Sequence, residues 1–199
     1  MKFLLLIFLI FNLTACTHAL SVTSNFVSTN QMQFDTAELK TKTAFILITP
    51  EFKNYQFTKK AYNWAGGSLF PDTIIFDLGN TLTSEINSLG RSLFKRTLQS
   101  DSLEESKNQR ADGADYIVVP KIISTSLELP IVRLGQIDAI IQIEYTFYRS
   151  DGVLLTSIIL SGNGQKRLEL TKQNYVIALQ EAVKDLMLKS KEAFISVMR

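Results

Sequence analysis

Few residues in this chain could do chemistry. There is one cysteine, Cys16, and one histidine, His18, two positions apart in the run Thr14-Ala15-Cys16-Thr17-His18. A Cys and a His could begin a metal site, but a closed tetrahedral site takes four ligands and no further Cys or His exists to complete one. With no histidine after position 18, a Ser-His-Asp arrangement is excluded from the rest of the chain. Carboxylates remain. Glu104 and Glu105 are neighbours, and Asp112 lies close to Asp115. Adjacent acids on a polar helix make a solvated face, and Asp112-Gly113 reads as a turn. A glycosidase-type pair stays open, because its two carboxylates can come from distant parts of a chain. Gly162-Asn163-Gly164 lacks the third glycine of a dinucleotide loop and reads as a turn that ends a hairpin. These residues point to no catalytic site, no metal and no cofactor.

Cys16 is better explained as an anchor. Met1-Lys2 is followed by the apolar run "FLLLIFLIFNL", too short for a comfortable membrane span and typical of a secretory signal peptide. Leu13-Thr14-Ala15-Cys16 then resembles the bacterial lipobox, in which the cysteine becomes the acylated N-terminus. The alternative is an ordinary secreted protein with an incidental cysteine. The lipobox reading divides the chain into a signal peptide over 1–15, a lipidated cysteine and polar tether over 16–42, and one periplasmic domain over 43–199. Loss of residues 1–15 removes Lys2 alone, so the formal charge falls from +2 to +1. No field remains to favour nucleic acid. The apolar share of 46% and charged share of 20% are those of a globular protein. Nothing after residue 16 is long and apolar enough to cross a bilayer, so the domain is expected to sit on a membrane, held by several acyl chains.

The elements that would carry any site follow from periodicity. Residues 17–42 are rich in Ser, Thr, Asn and Gln without a sustained period, and read as a tether, part of which could pair with a sheet edge. "TAFILIT", 43–49, reads as a buried strand stopped by Pro50. Leu78, Leu82, Ile86, Leu89 and Leu93 mark one helix face, with the helix expected from Thr73, capped by Asp72 or Thr73. Gly79 and Gly90 fall inside it, where they could allow close packing on the sheet. Ser102 with Glu105 resembles a capping box for a short helix ending near Arg110. Residues 115–129 read as a strand, with Pro120 marking an edge or a bulge. Residues 137–150 alternate: Ile137, Ala139, Ile141, Ile143, Tyr145 and Phe147 face one way. Asp151-Gly152 reads as a two-residue hairpin loop that places Ser150 opposite Val153, Phe147 opposite Thr156, Tyr145 opposite Ile158 and Ile143 opposite Leu160. A last helix from about Thr171 buries Val176, Leu179, Val183, Leu186, Phe194 and Val197. The fold class is α+β: an antiparallel-rich mixed sheet with two long helices packed on one face.

Segment 52–70 carries Phe52, Tyr55, Phe57, Tyr62, Trp64 and Phe70 among lysines, with Gly66-Gly67 inside. Aromatic side chains with a polar handle concentrate at interfaces, so Tyr62 and Trp64 are the candidate partner-binding residues. The plainer reading puts Phe52, Phe57 and Phe70 in the core.

Taken in order, the lipobox, the tether, "TAFILIT", "DLGNTLTSEINSL", "ADYIVVPKI", "YRSDGVLL", "SGNGQ" and the C-terminal helix resemble small Gram-negative envelope lipoproteins. The resemblance is to the YajG-type lipoproteins, the auxiliary lipoproteins of envelope ABC-type lipid transporters, the curli-secretion lipoprotein and the N-terminal domain of the Tol-system β-propeller protein. It spans about residues 43–197 and is one of pattern. It implies a non-enzymatic accessory or scaffold part of an envelope machine, with an envelope protein partner and, as in some of these families, a homo-oligomer. Thr17, in place of the aspartate that retains enteric lipoproteins in the inner membrane, implies the periplasmic face of the outer membrane. Lipopolysaccharide-assembly lipoproteins are the runner-up, and a peptidoglycan- or glycan-binding module is a further alternative.

Overall fold

A computed structural model of the chain describes residues 17–20, 37–61, 72–100, 113–128, 135–167 and 173–198. Its centre is a long strand, Gln136–Arg149, whose alternation is carried into space: Ile137, Ala139, Ile141, Ile143, Tyr145 and Phe147 are all buried. In chain order the strands are β1 (Thr17–Leu20), β2 (Thr43–Leu47), β3 (Phe57–Ala61), β4 (Asp72–Phe76), β5 (Arg96–Ser100), β6 (Tyr116–Glu128), β7 (Gln136–Arg149) and β8 (Leu154–Arg167). The helices are α1 (Pro50–Lys53), α2 (Leu78–Leu93) and α3 (Gln173–Val197), with a 3-10 turn at Leu39–Thr41. Five strands form one sheet in the order β5-β2-β6-β7-β8. β2 is parallel to both β5 and β6, whereas β7 is antiparallel to both β6 and β8. The sheet is therefore mixed: two of its four strand pairings are parallel, while most of its paired residues lie in the long antiparallel ladders of β6, β7 and β8. A second sheet has the order β1-β4-β3, with β1 parallel and β3 antiparallel to β4.

The main core lies between the larger sheet and the two long helices, of 16 and 25 residues. Leu78, Leu82, Ile86, Leu89 and Leu93 of α2, at the expected helical spacing, are all buried there. α3 adds Ala178, Leu179, Ala182, Val183, Leu186, Met187 and Phe194. Phe194 meets Tyr145 and Phe147 edge-on, with ring centroids 5.2 and 5.3 Å apart. Such edge-to-face contacts favour one arrangement over a merely greasy one. The Tyr145 hydroxyl lies 3.0 Å from Ser190 Oγ, which in turn donates to the Leu186 carbonyl at 2.8 Å.

Several local readings are corrected. The helix does not begin at Thr73. Residues 72–76 pair with β3 as β4, and α2 starts at Leu78 after Asp77. The β-branched run Thr73-Ile74-Ile75 suits a strand, and available partners on both sides of it prevail over the i,i+4 apolar spacing. Pro50 does more than stop β2: Thr49 Oγ1 accepts from the Phe52 N–H and Pro50 opens the single turn α1. Gly79 packs against α1, where a Cβ would strike the Phe52 and Lys53 carbonyls, while Gly90 is the one that meets the sheet, at Ile46 and Thr97. β5, "RTLQS", carries no clear alternation and goes unread in the sequence. Pro120 stands where β2 has ended, since β2 reaches only Tyr116–Val118, and the β6 register slips between Ile122 and Ser124. The expected helix after Ser102 lies outside the described residues. Within the segment read as a tether, Thr17–Leu20 pairs with β4 and Leu39 is buried in the main core.

The hairpin tip differs by one residue. Arg149 N–H donates to the Val153 carbonyl and Gly152 N–H to the Arg149 carbonyl, so the loop has three residues, 150–152. Gly152 takes φ +85°, the left-handed region that glycine occupies without penalty. The extra residue is absorbed by a register shift beside Phe147, and from there the expected pairs, Phe147 with Thr156, Tyr145 with Ile158 and Ile143 with Leu160, all form.

Gly162-Asn163-Gly164 does not end the hairpin. β8 runs through it to Arg167, and both glycines face α3. A Cβ on Gly162 would strike the Ala182 carbonyl and one on Gly164 the Ala178 carbonyl. Backbone therefore lies on backbone, with two alanines of the helix opposite two glycines of the strand. Gly164→Ala should force α3 off the sheet and lower unfolding free energy by about 1–3 kcal/mol or more, as read by urea denaturation. Gly113→Ala, where φ is +81° but space is open, should cost only the left-handed penalty of about 1 kcal/mol.

Burial drives the Tyr145 phenol well above its ordinary value of 10.0, partly offset by its bond to Ser190, and half-burial moves Tyr175 the same way. The unfolded chain then ionises first as pH rises. Stability from these groups is intact below about pH 10 and is lost as pH climbs toward the folded value. Thermal unfolding of the wild type should thus fall more steeply above pH 10 than that of Tyr145→Phe.

Candidate functional site

β8 is an edge strand, and an edge presents main-chain donors and acceptors that another chain could take. α3 lies across part of that edge and uses it. The Asn163 N–H donates to Asp185 Oδ2 at 2.8 Å, and Lys189 Nζ donates to the Ser161 carbonyl at 2.7 Å. Asp185 and Lys189 are one helical turn apart and bond each other at 2.7 Å. The close approach at Gly162 and Gly164 brings these side chains within reach of the strand. Beside them runs an open groove of about 640 Å³ between Asn163–Lys166 and the helix residues Ile177, Glu181, Asp185 and Lys189. Its charged groups at 185 and 189 are already committed to one another and to the strand. The groove can hold an extended polar segment; it offers no nucleophile with a base beside it. Toward the hairpin the edge is less guarded, and Val153, Leu154 and Ile159 are exposed.

A second end of the molecule is defined by the small sheet. Thr17 is in register with Thr73, and Thr73 with Lys60; His18 is in register with Ile74, and Ile74 with Lys59. Lys60 and Thr58 are exposed and Lys59 is half-buried. Phe57, on the core side of β3, stacks on Phe76 at 6.0 Å. Phe52 is buried and Tyr55 packs against the same core, so the described aromatics of segment 52–70 are structural.

Of the residues singled out in the sequence, Cys16, Tyr62, Trp64, Glu104, Glu105 and Asp112 lie outside the described residues. Asp115 is described, and its work is architectural. Its Oδ2 accepts from the Thr43 N–H at 2.8 Å, its own N–H donates to the Thr43 carbonyl, and Lys42 stands 3.9 Å from Oδ1. It ties the start of β2 to the start of β6. The described residues bring no three His, Cys, Asp or Glu together at metal-binding distance, and no described helix is long and apolar enough to cross a membrane. Asp185 and Lys189 went unread. Their i,i+4 spacing is visible in the sequence, but the strand edge they serve is not.

No family model matches the sequence, and no curated protein matches it. Among solved structures the chain is similar to a Xanthomonas campestris protein of the DUF330 family, at 8% identity and a TM-score of 0.54, covering 92% of this chain and 96% of that one. It is also similar to a minor lipoprotein from Acinetobacter baumannii, at 9% identity and a TM-score of 0.44 over 78% and 91% of the two chains. A third similarity is to the PelC dodecamer from Paraburkholderia phytofirmans, at 13% identity and a TM-score of 0.39 over 74% and 82%. The first likeness is one of fold alone; the other two superpose more loosely and carry no argument.

If α3 guards the β8 edge, removing both caps should open it. Asp185→Ala with Lys189→Ala should cost about 1 kcal/mol of stability, since water can replace the lost bonds at this half-exposed site. The variant should also associate further than the wild type as concentration rises, read as a larger mass in light scattering.

Proposed function

We propose that this is a non-enzymatic lipoprotein of the Gram-negative envelope. In this reading it is anchored through Cys16 to the periplasmic face of the outer membrane and acts as an accessory or scaffold subunit. The observation that carries the reading is Leu13-Thr14-Ala15-Cys16 directly after an apolar run, with the chain's only cysteine at the position a lipid cysteine takes. The described polar residues favour it too. Asp115, Asp185 and Lys189 are engaged in holding strands and helices together. The partner is an envelope protein, with Tyr62 and Trp64 as contact residues on the connection between the paired ends Ala61 and Asp72 of β3 and β4. Self-association into a homo-oligomer is compatible with this role.

Mass spectrometry of the mature N-terminus tests the anchor: a diacylglyceryl group on Cys16 with residues 1–15 removed is the expected result. An unmodified cysteine, or cleavage elsewhere, would overturn it. A photo-cross-linker placed at Trp64 in living cells should capture one envelope protein reproducibly. Capture of peptidoglycan fragments instead would favour a wall-binding module.

A further inference from the structure

From the small sheet and its place in the chain we infer that the anchored domain stands directly on the bilayer, with the Thr17–Thr73–Lys60 end of the sheet against anionic phospholipid headgroups. This rests on acylation of Cys16. A polar stretch of 26 residues after the cleavage site would, as a flexible tether, let the domain float well away from the surface. The structure puts a strand at its first four residues instead. β1 begins at Thr17, the residue after Cys16, and is held in parallel register along β4. No free chain is left between the lipid-bearing position and the folded sheet, so the acyl chains fix the height of that sheet end.

Register then says what faces the lipid. Level with the anchor position stand Ala61 and Asp72, the next row contains Thr17, Thr73 and Lys60, and the one after it His18, Ile74 and Lys59, so two lysines outnumber one carboxylate at this end. Two strand spacings of about 4.8 Å put Lys60 about 10 Å to the side of β1, in the same row as Thr17 and so at its height above the lipid. A lysine at that height is attracted to an anionic surface, and two on adjacent rows reinforce one another. β1 sets the height and β3 supplies the charge, with β4 holding the two together.

The test uses the full acylated protein in vesicles of phosphatidylethanolamine with and without phosphatidylglycerol, and Thr58→Cys as the labelling site. Acylation occupies Cys16, so the new thiol is unique. A fluorophore there should be strongly quenched by headgroup-attached nitroxide lipids. A flexible Gly/Ser linker of about ten residues inserted between Cys16 and Thr17 leaves every described contact intact and should lower quenching at least threefold. Lys59→Gln with Lys60→Gln should lower it about twofold in phosphatidylglycerol vesicles and leave it unchanged without that lipid. Weak quenching in the unaltered protein, or quenching indifferent to the linker, overturns the inference. Indifference to the lysine changes overturns the headgroup contact. An unmodified Cys16 in the same sample removes the anchor reading and this one with it; a modified Cys16 with an unquenched label removes only this one.

Discussion

The contact on which the rest of the architecture depends is the approach of α3 to β8 at Gly162 and Gly164. Side chains normally hold a helix and a sheet apart. Here the strand offers none at two successive inward positions, and the helix answers with Ala178 and Ala182, so the carbonyls of the helix lie where strand Cβ atoms would be. The helix axis is thereby fixed in height and direction. Everything farther along α3 follows: Ser190 arrives at the Tyr145 hydroxyl, and Phe194 stands edge-on to Tyr145 and Phe147. The same closeness lets Asp185 and Lys189 reach past the sheet face to its outer edge.

That edge matters because mixed sheets of this kind end in strands whose main chain is half unpaired. The other end, β5, is only five residues long, and short edges are weak templates. β8 is fourteen residues long and would be a strong one. The helix covers it with charged caps near Ser161 and Asn163 and leaves the hairpin end, around Ile159, open. At the parallel side of the sheet Asp115 plays the matching role. It fixes where β2 and β6 begin relative to one another, a register that no tight turn can set between parallel strands.

The polar N-terminal stretch changes meaning once the fold is seen. A strand of four residues has little stability of its own, but β4 is already paired with β3, and a third strand adds main-chain bonds along its free side. Leu39, isolated among polar neighbours, finds a place in the main core. The domain therefore takes in residues at both ends of the stretch that composition alone assigns to a linker.

Much of the fold was legible without coordinates, because period reports directly on which face is buried. The 3.6-residue spacing of Leu78 to Leu93, the alternation of Ile137 to Phe147 and the face of the last helix all stand as read. From Phe147 inward the hairpin register stands as well, since a slip of one residue there would have turned an apolar row to water. What the sequence could not decide were the places where a distant partner sets the outcome. Residues 72–76 are a strand because β3 and β1 flank them. β5 exists because β2 offers an edge, and β2 is parallel to both its neighbours because they are joined across the core. Gly162-Asn163-Gly164 was most misleading: locally it is a turn signal, and only the helix lying on it makes it strand. Asp185 and Lys189 likewise read as an ordinary helical pair until the strand edge beneath them is in place. Local propensity is written in neighbouring residues, whereas close approach and edge protection depend on residues some twenty positions away, and only the folded chain brings those together.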